Sequence, residues 1–341
     1  MTPKRKKSWL FLEWIGTILF GLFPDTRFFN DLLSRVIYIF TNKFAAPDLK
    51  NPRSFNEKLM VLKNSDEART ALRTRVTDKE LVKDYVTELV GPGHVVPTIA
   101  VIRSAQDLAR YTFPLPCVVK PTHSSQEVMM FRDRQPDARE RRILRYWLWK
   151  SYFAASREPN YRHLEKKLIV EEAIGGGLGE IDDVKVHCFH GRPKLIQVDY
   201  GRFGDHRRDL YDMSGALLPV EHRKPPGRRP FPYQDKLAEL ARLCEGLSAG
   251  FTYIRVDFYV FGEKILVGEL SSFPSNCTVP FRPAAADRII ARLFDEPDFE
   301  LTPAAFAEIG DSDDDAAQKV VTLRPDPARA AAAGQAPRKS A

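Results

Sequence analysis

Acidic side chains lie inside apolar segments at two places near the carboxyl end of the sequence. Over 253–261 polar and apolar residues alternate, so Arg255 and Asp257 share one face of a predicted strand. In the next apolar segment Glu269 and Ser271 share a face in the same way. Carboxylates inside apolar strands are costly to bury without a partner, so these side chains are candidates for chemistry.

A tight turn between the two segments would bring their acids together. A three-residue loop at 262–264 pairs Asp257 with Glu269 and Arg255 with Ser271. Cross-strand neighbours are about 5 Å apart at Cβ, close enough for two carboxylates to share a hard divalent cation. We therefore expect a metal site here, and a surface acid pair is the alternative.

Three other segments could contribute to a ligand site together with this hairpin. Lys79 lies at the start of a helical stretch, and Lys120 ends an apolar strand just before a turn. A charged lysine at the end of a buried strand needs an anionic partner. The predicted strand 168–174 carries Glu171 and Glu172, which suit ribose hydroxyls or contacts with a purine edge.

The elements that position these residues follow from hydrophobic periodicity. We expect strands at 95–101, 116–120, 128–131, 168–174, 184–189, 194–200, 253–261 and 265–271. Helical periodicity covers 234–249 and 285–294, and an Arg-rich helical stretch covers 132–145. Acids are interspersed with those arginines, which favours a solvated helix face over a nucleic-acid surface.

Composition excludes several classes of protein. The 341 residues are 43% hydrophobic and 28% charged, which is typical of a globular protein rather than a disordered or fibrous one. The net charge of +7 comes partly from the basic residues 4–7, so it does not indicate a nucleic-acid partner. The four cysteines are far apart and form no CxxC pair, so we expect free thiols in a reducing compartment.

The two ends of the chain differ from the body. The apolar run 9–23 is too short to span a bilayer as a helix, since fifteen residues cover only about 22 Å. It favours a helix lying in a membrane surface, with burial against the core or a cleaved signal peptide as alternatives. A second amphipathic helix at 28–40 is expected to pack its apolar face on the body. The Ala-, Pro- and Asp-rich end at 301–341 is a predicted disordered tail.

The ordered set of motifs resembles the TupA-like branch of the ATP-grasp family, which is associated with teichuronopeptide and cell-surface polysaccharide biosynthesis. The matching segments are 51–58, 77–79, 118–125, 170–172, 183–191, 193–199, 211–212, 254–259 and 268–274. The resemblance implies an α+β ATP-grasp fold, in which two α+β lobes hold ATP between them, preceded by an N-terminal helical extension. It divides the chain into helices at 1–45, an N-terminal lobe at 46–115, a nucleotide-binding and catalytic region at 116–300 and the tail.

The resemblance assigns the nucleotide site residue by residue. Lys79 and Lys120 would bind phosphates. Glu171, with the backbone of Glu172 and Ile174, would bind adenine and ribose.

The resemblance also assigns the reacting end of the site. Lys185 would face the phosphates, and Arg255 would lie near an acyl phosphate or else form a salt bridge with Glu269. Asp257 and Glu269 would hold magnesium with Ser271, which replaces the asparagine usual in the family.

The turn after Lys120 departs from the family pattern. The family usually ends this turn with two glycines, whose free amides close over phosphates. Here residues 123–127 contain none, so the hydroxyls of Ser124 and Ser125 would contact the phosphates, or ATP turnover would be inefficient.

The resemblance implies a carboxylate–amine ligase that uses ATP and Mg²⁺ and forms an amide through an acyl phosphate. The acceptor would be an amino acid or acidic sugar on a surface polymer. A basic cluster of Arg202, His206 and Arg208 could receive a carboxylate, although a solvated loop is equally consistent with the sequence. The alternatives are a glycan or small-molecule kinase and a membrane-associated ATP-binding scaffold. Because ATP is cytosolic, we expect a cytoplasmic protein, peripheral on the inner face of the membrane.

Overall fold

The computed structural model of the protein describes residues 20–42, 45–176, 182–201 and 204–307. Its strands are β1 (Thr98–Ile102), β2 (Cys117–Pro121), β3 (Met129–Phe131), β4 (Leu168–Glu172), β5 (Asp183–Phe189), β6 (Arg192–Tyr200), β7 (Arg207–Tyr211), β8 (Glu221–His222), β9 (Tyr253–Phe261), β10 (Lys264–Ser271) and β11 (Phe281–Arg282). Its α-helices are α1 (Arg27–Thr41), α2 (Phe55–Lys63), α3 (Ala71–Thr77), α4 (Leu81–Val90), α5 (Ala105–Arg110), α6 (Ala138–Trp149), α7 (Tyr152–Ser156), α8 (Leu237–Ser248) and α9 (Ala284–Ala291). The α+β prediction is therefore confirmed.

The smaller sheet has the strand order β1-β4-β2-β3, with antiparallel pairing throughout. Its apolar face packs against α5 and α6, where Leu108 and Leu144 are fully buried. Strand β1 comes from the predicted N-terminal lobe, yet it pairs with β4. The sheet therefore spans the predicted boundary between residues 115 and 116.

The larger sheet has the strand order β10-β9-β5-β6-β7. One face packs on α8 and α4 through side chains such as Leu243 and Val86. The other face is apolar at one end, where Phe55 of α2 contacts Phe189 and Tyr253. Toward the other end the same face is charged, and this end forms the candidate site.

The β9–β10 hairpin has the predicted pairing but not the predicted loop. Pairing begins at Phe261 and Lys264, so the loop contains two residues, and the expectation of three is wrong. Farther along, the pairing shifts by one residue at Gly268, which forms a β-bulge. The bulge restores the expected register, and Asp257 lies opposite Glu269.

Helix α1 is rotated relative to the prediction. Leu33 is buried as expected, but Phe28 and Phe40 are each 70% exposed, so the expectation that the whole apolar face packs on the body is wrong in part. Polar contacts fix this rotation, since buried Asn30 accepts a hydrogen bond from the Arg157 guanidinium at 3.3 Å. Three apolar residues of this face, Phe28, Leu32 and Phe40, are left exposed.

Several other expectations concern the ends and the thiols. The apolar run up to residue 19, residues 177–181 and the part of the predicted tail from residue 308 lie outside the described residues. Within the first residues of the tail predicted at 301–341, Leu301 and Phe306 are buried in the core. Every helix in the part of the chain that the structure describes is too short or too polar to cross a lipid bilayer. All four cysteines are free, as predicted, and all four are buried.

Candidate functional site

Strands β5 and β9 bring three of the predicted residues into one buried ion-pair cluster. Lys185 and Asp257 are cross-strand neighbours, and Nζ of Lys185 lies 2.8 Å from Oδ2 of Asp257 and 3.5 Å from Oδ2 of Asp183. Nε of Arg255 donates to Oδ1 of Asp257 at 2.6 Å. Burial alone would raise the pKa of Asp257, but Arg255 and Lys185 outweigh it, and the pKa is lowered. Asp257 is therefore ionised and already paired with two cations.

The guanidinium of Arg255 lies between the three residues predicted to hold magnesium. Its Nη2 lies 2.6 Å from Oδ2 of Asp257, 3.2 Å from Oγ of Ser271 and 3.9 Å from Oε1 of Glu269. The alternative prediction is a salt bridge between Arg255 and Glu269. These two groups are 3.9 Å apart, whereas Arg255 lies 2.6 Å from Asp257, which is therefore its main partner.

This donor set fits a hard cation. Two carboxylates and a hydroxyl converge on one positive group, and the Ser271 hydroxyl donates to Glu269 at 3.3 Å. The described residues contain no cluster of three or more His, Cys, Asp or Glu side chains suited to a metal. A magnesium ion held by Asp257, Glu269 and Ser271 would therefore need further oxygens, such as those of phosphates.

Two lysines from outside the larger sheet reach this charged face. Nζ of Lys79 lies 3.7 Å from Oε2 of Glu269 and donates to the carbonyl of Ser124 at 2.6 Å. Nζ of Lys120, at the end of β2, lies 5.6 Å from the ring centre of Tyr259 on β9. The cations predicted to bind phosphates and the acids predicted to bind magnesium thus meet where the smaller sheet approaches the larger one, and this region is termed the cleft.

Glu171 connects Lys120 to a lysine that the sequence analysis missed. The buried carboxylate of Glu171 lies 2.8 Å from Nζ of Lys120 and 2.6 Å from Nζ of Lys83. Burial alone would lower the pKa of Lys120, but Glu171 outweighs it, and the pKa is raised. Lys83 lies four residues after Lys79, at the start of α4. This helical spacing is the feature of the sequence that could have predicted a second lysine near the same site. The assignment of Glu171 to adenine and ribose stays a prediction, since lysines occupy its carboxylate here.

The other two residues assigned to the adenine site lie at the end of β4. Glu172 is exposed, and its backbone N–H donates to the carbonyl of Pro97 at 3.2 Å. That N–H is therefore unavailable to a purine in this conformation. Ile174 begins the short 3₁₀ turn Ile174–Gly176, and its role also stays a prediction.

The turn after Lys120 is fixed by side chains. Ser124 is buried, and its hydroxyl donates to Glu127, whose carboxylate forms a buried ion pair with Lys150 at 2.6 Å. Gln126 has a φ of 65°, a left-handed conformation that glycine adopts without strain. Of the two serines predicted to contact phosphates, Ser124 is buried and Ser125 is partly exposed.

The predicted basic cluster does not form an open carboxylate receptor. Arg208 lies on β7, is buried, and donates to Asp199 through Nε and, at 2.9 Å, through Nη2. Nε2 of His206 lies 3.6 Å from the same carboxylate. The solvated-loop alternative is wrong for Arg208, because its strand pairing places it opposite Asp199. Arg202 lies outside the described residues.

Another buried acid, Glu158, adjoins the site and was not among the predicted site residues. Glu158 precedes the 3₁₀ turn Pro159–Tyr161, and Oε1 accepts a hydrogen bond from the Tyr152 hydroxyl at 3.2 Å. The Tyr161 phenol lies close enough to Glu269 and Arg255 for both charges to affect its pKa. No local pattern in the sequence links this segment to β9 and β10.

Comparison with known proteins gives one family and several distant structures. A family model described as TupA-like ATPgrasp matches residues 57–295. A search of curated protein sequences gives no match.

The solved structures similar to this chain include ligases. D-alanine–D-alanine ligase from Helicobacter pylori is 15% identical over 60% of this chain and 53% of its own, with a TM-score of 0.33. The enzyme of the same name from Bacillus anthracis, complexed with ATP, is 14% identical over 59% and 56%, with a TM-score of 0.35. L-amino acid ligase from Bacillus licheniformis is 11% identical over 70% and 46%, with a TM-score of 0.34. The matched region thus spans less than two thirds of each of these proteins.

Proposed function

Since the chain belongs to the TupA-like ATP-grasp family, we propose that it is an ATP-dependent carboxylate–amine ligase. The observation that carries this proposal is the meeting of Lys79 and Lys120 with Glu269 and the Asp257 cluster across one cleft. The lysines would hold the phosphates of ATP. The acids would hold Mg²⁺, which neutralises charge on the group being transferred.

The chemistry proposed for this cleft has two steps. A carboxylate oxygen of the first substrate attacks the γ-phosphorus of ATP, and ADP leaves with formation of an acyl phosphate. An amine nitrogen then attacks the acyl carbon, phosphate leaves with the displaced proton, and an amide results. Lys185 and Arg255 lie beside Asp257, where they can stabilise negative charge on the transferring phosphoryl group.

The substrates proposed are those of a surface-polymer pathway. The family association supports an amino acid or acidic sugar as acceptor, in polysaccharide or teichuronopeptide-like polymer biosynthesis. The Asp199–Arg208 pair would need to open before Arg208 could bind such a carboxylate.

ADP release distinguishes the ligase from its alternatives. Purified protein is incubated with Mg·ATP and pooled amino acids or uronic acids as carboxylates, with and without pooled amines. A ligase releases ADP and forms amide only when both pools are present. A kinase releases ADP with a hydroxylated acceptor and no amine, and a scaffold releases none with any pool. Amine-independent product formation would contradict the ligase proposal.

We also propose that the protein is cytoplasmic and peripheral on the inner membrane face. The support is the basic and apolar sequence of residues 4–23, together with the exposure of Phe28 and Phe40 on α1. The experiment is co-sedimentation with vesicles of anionic phospholipid. Replacing Phe28 and Phe40 by serine should weaken sedimentation, whereas Leu89→Ser, on the exposed side of α4, should not. Equal sedimentation of all three proteins would refute the role of α1.

A further inference from the structure

Glu158 is a buried carboxylate close to the candidate site. It is 4% exposed, and in the described part of the chain no Lys, Arg or His nitrogen lies within 4.0 Å of it. Its hydrogen bond from Tyr152 engages only Oε1. The nearby buried Lys63 is directed elsewhere, since its Nζ donates to the carbonyl of Ser156 at 2.9 Å and to Oδ1 of Asn276 at 2.6 Å.

An ionised carboxylate in such a place is unfavourable unless a positive group binds it. Other buried acids of the site have their cations, as Asp257 has Lys185 and Glu171 has Lys120. Burial raises the pKa of Glu158 to about 7, although Lys63 and the Tyr152 hydroxyl act in the opposite direction. An arriving cation would remove this penalty by pairing with the carboxylate.

The segment that carries Glu158 is attached to the reacting end of the cleft. Nδ2 of Asn276, in the loop after β10, donates to the carbonyl of Ser156 at 3.0 Å. The Ser125 side chain lies beside the phenols of both Tyr152 and Tyr161 and lowers the pKa of each, against the larger effect of burial. Glu158 therefore lies against Tyr152, and the two phenols adjoin the turn after Lys120, with Tyr161 also near Glu269 of β10.

The two phenols are suited to a cationic ligand. The rings of Tyr152 and Tyr161 pack with their centres 4.5 Å apart, and both residues are partly exposed. Aromatic faces attract ammonium groups, and the attraction grows when water is excluded. Aromatic rings in front of a buried carboxylate are complementary to an alkylammonium group rather than to an anion.

We propose that Glu158, Tyr152 and Tyr161 form the binding site for the amino group of the amine substrate. The inference rests on the proposed ligase function and names the side of the cleft from which the nucleophile enters. The ammonium form pairs with the Glu158 carboxylate beside the packed phenols. The adjoining Glu269 and Arg255 mark where the acyl phosphate would form.

Direct binding tests the subsite without turnover. The probe is a pool of the twenty L-amino acid amides, which carry an ammonium group and no α-carboxylate, added to full-length protein with Mg²⁺ and a non-hydrolysable ATP analogue. Saturation-transfer NMR is recorded for the wild type, Glu158→Gln and the control Glu165→Gln, whose acid is exposed and paired with Arg103. We expect at least a tenfold loss of affinity in Glu158→Gln alone. Binding that is equal in the three proteins, or absent in the wild type, would overturn the proposal.

An activity assay distinguishes a failure of this inference from a failure of the ligase proposal. Hydroxylamine is mostly uncharged near neutral pH, so it can intercept an acyl phosphate without an ammonium site. Glu158→Gln should raise KM for amines at least tenfold while hydroxamate formation stays within about twofold of the wild type. Loss of hydroxamate in that variant would overturn the subsite. If the wild type releases no ADP but amide binding still depends on Glu158, the ligase proposal fails and the subsite stands.

Folding is checked with the same variants. Glutamine keeps an acceptor for the Tyr152 hydroxyl and removes a buried charge, so the thermal midpoint of Glu158→Gln should not fall. Tyr152→Phe keeps the ring packing on Tyr161 but removes the hydrogen bond to Glu158. It should weaken amide binding less than Glu158→Gln does, and a larger effect would contradict the central role of the carboxylate.

Discussion

The two acids predicted to hold magnesium should differ sharply in their contribution to stability. Asp257 is buried and accepts hydrogen bonds from Arg255 at 2.6 Å and from Lys185 at 2.8 Å. The Glu269 side chain is 33% exposed, and its nearest cations lie 3.7 and 3.9 Å away. Replacing each acid by its amide therefore removes the same negative charge from two very different environments.

Asp257→Asn leaves two buried cations with one carboxylate fewer. Removal of one partner from a buried ion pair costs about 3–5 kcal/mol, because the remaining charge has lost both water and its counter-ion. Asp183, 3.5 Å from Lys185, can compensate only one of the two cations. We therefore expect a loss near the lower end, about 3 kcal/mol. Glu269→Gln should cost about 1 kcal/mol or less, as exposed pairs do.

Urea unfolding followed by circular dichroism, without nucleotide, measures both values. Magnesium-dependent ADP release is measured on the same preparations at a temperature where both variants are folded. Both amides should lose that activity, because each removes an oxygen ligand with its charge. Equal stability losses would refute the buried ion-pair cluster, and full activity in folded Glu269→Gln would refute the metal site.

Three further predictions concern single residues. Burial alone would raise the pKa of Asp199, but the nearby His206 imidazole and the hydrogen-bonded Arg208 guanidinium outweigh it and lower the pKa. The stabilisation from this carboxylate therefore exists above the ordinary carboxylate pKa and is lost as pH falls below it. The difference in unfolding free energy between wild type and Asp199→Asn should therefore shrink below about pH 4. Gly268→Ala places Cβ 2.8 Å from the Tyr259 ring, so we expect a loss of about 1–3 kcal/mol in urea unfolding, and an unchanged midpoint would contradict the bulge. Because the pKa of Glu158 is raised from 4.5 to about 7, its ionised form destabilises the fold at higher pH, and Glu158→Gln should gain up to about 3 kcal/mol over the wild type between pH 4 and 8.

The sequence alone predicts the features of the site that depend only on neighbouring residues. Alternation over 253–261 predicts β9 to the residue, and it places Arg255 and Asp257 on the same face. The ordered motifs also predict the family, which the match over residues 57–295 confirms. Side-chain direction in a strand has a period of two, so neighbouring residues alone determine which side chains share a face.

For the β9–β10 hairpin, the predicted pairing of Asp257 with Glu269 is correct, but the three-residue loop from which it was derived is wrong. Pairing of Asp257 with Glu269 is independent of whether the extra residue lies in the loop or in a bulge. The structure places it at Gly268, where the Tyr259 ring leaves no room for a side chain. That choice depends on a cross-strand contact, which the loop sequence does not contain.

Tertiary structure alone decided how the remaining charges are paired and which faces are covered. Glu171 pairs with Lys83 and Lys120, and Arg208 is buried against Asp199. The segment that carries Glu158 is hydrogen-bonded to Asn276, more than a hundred residues away in sequence. Likewise, α1 turns polar Asn30 inward, because a hydrogen bond to a buried guanidinium outweighs the burial of one more apolar side chain. Periodicity specifies a face but not its partner, and for a buried charge the partner determines pKa, stability and function.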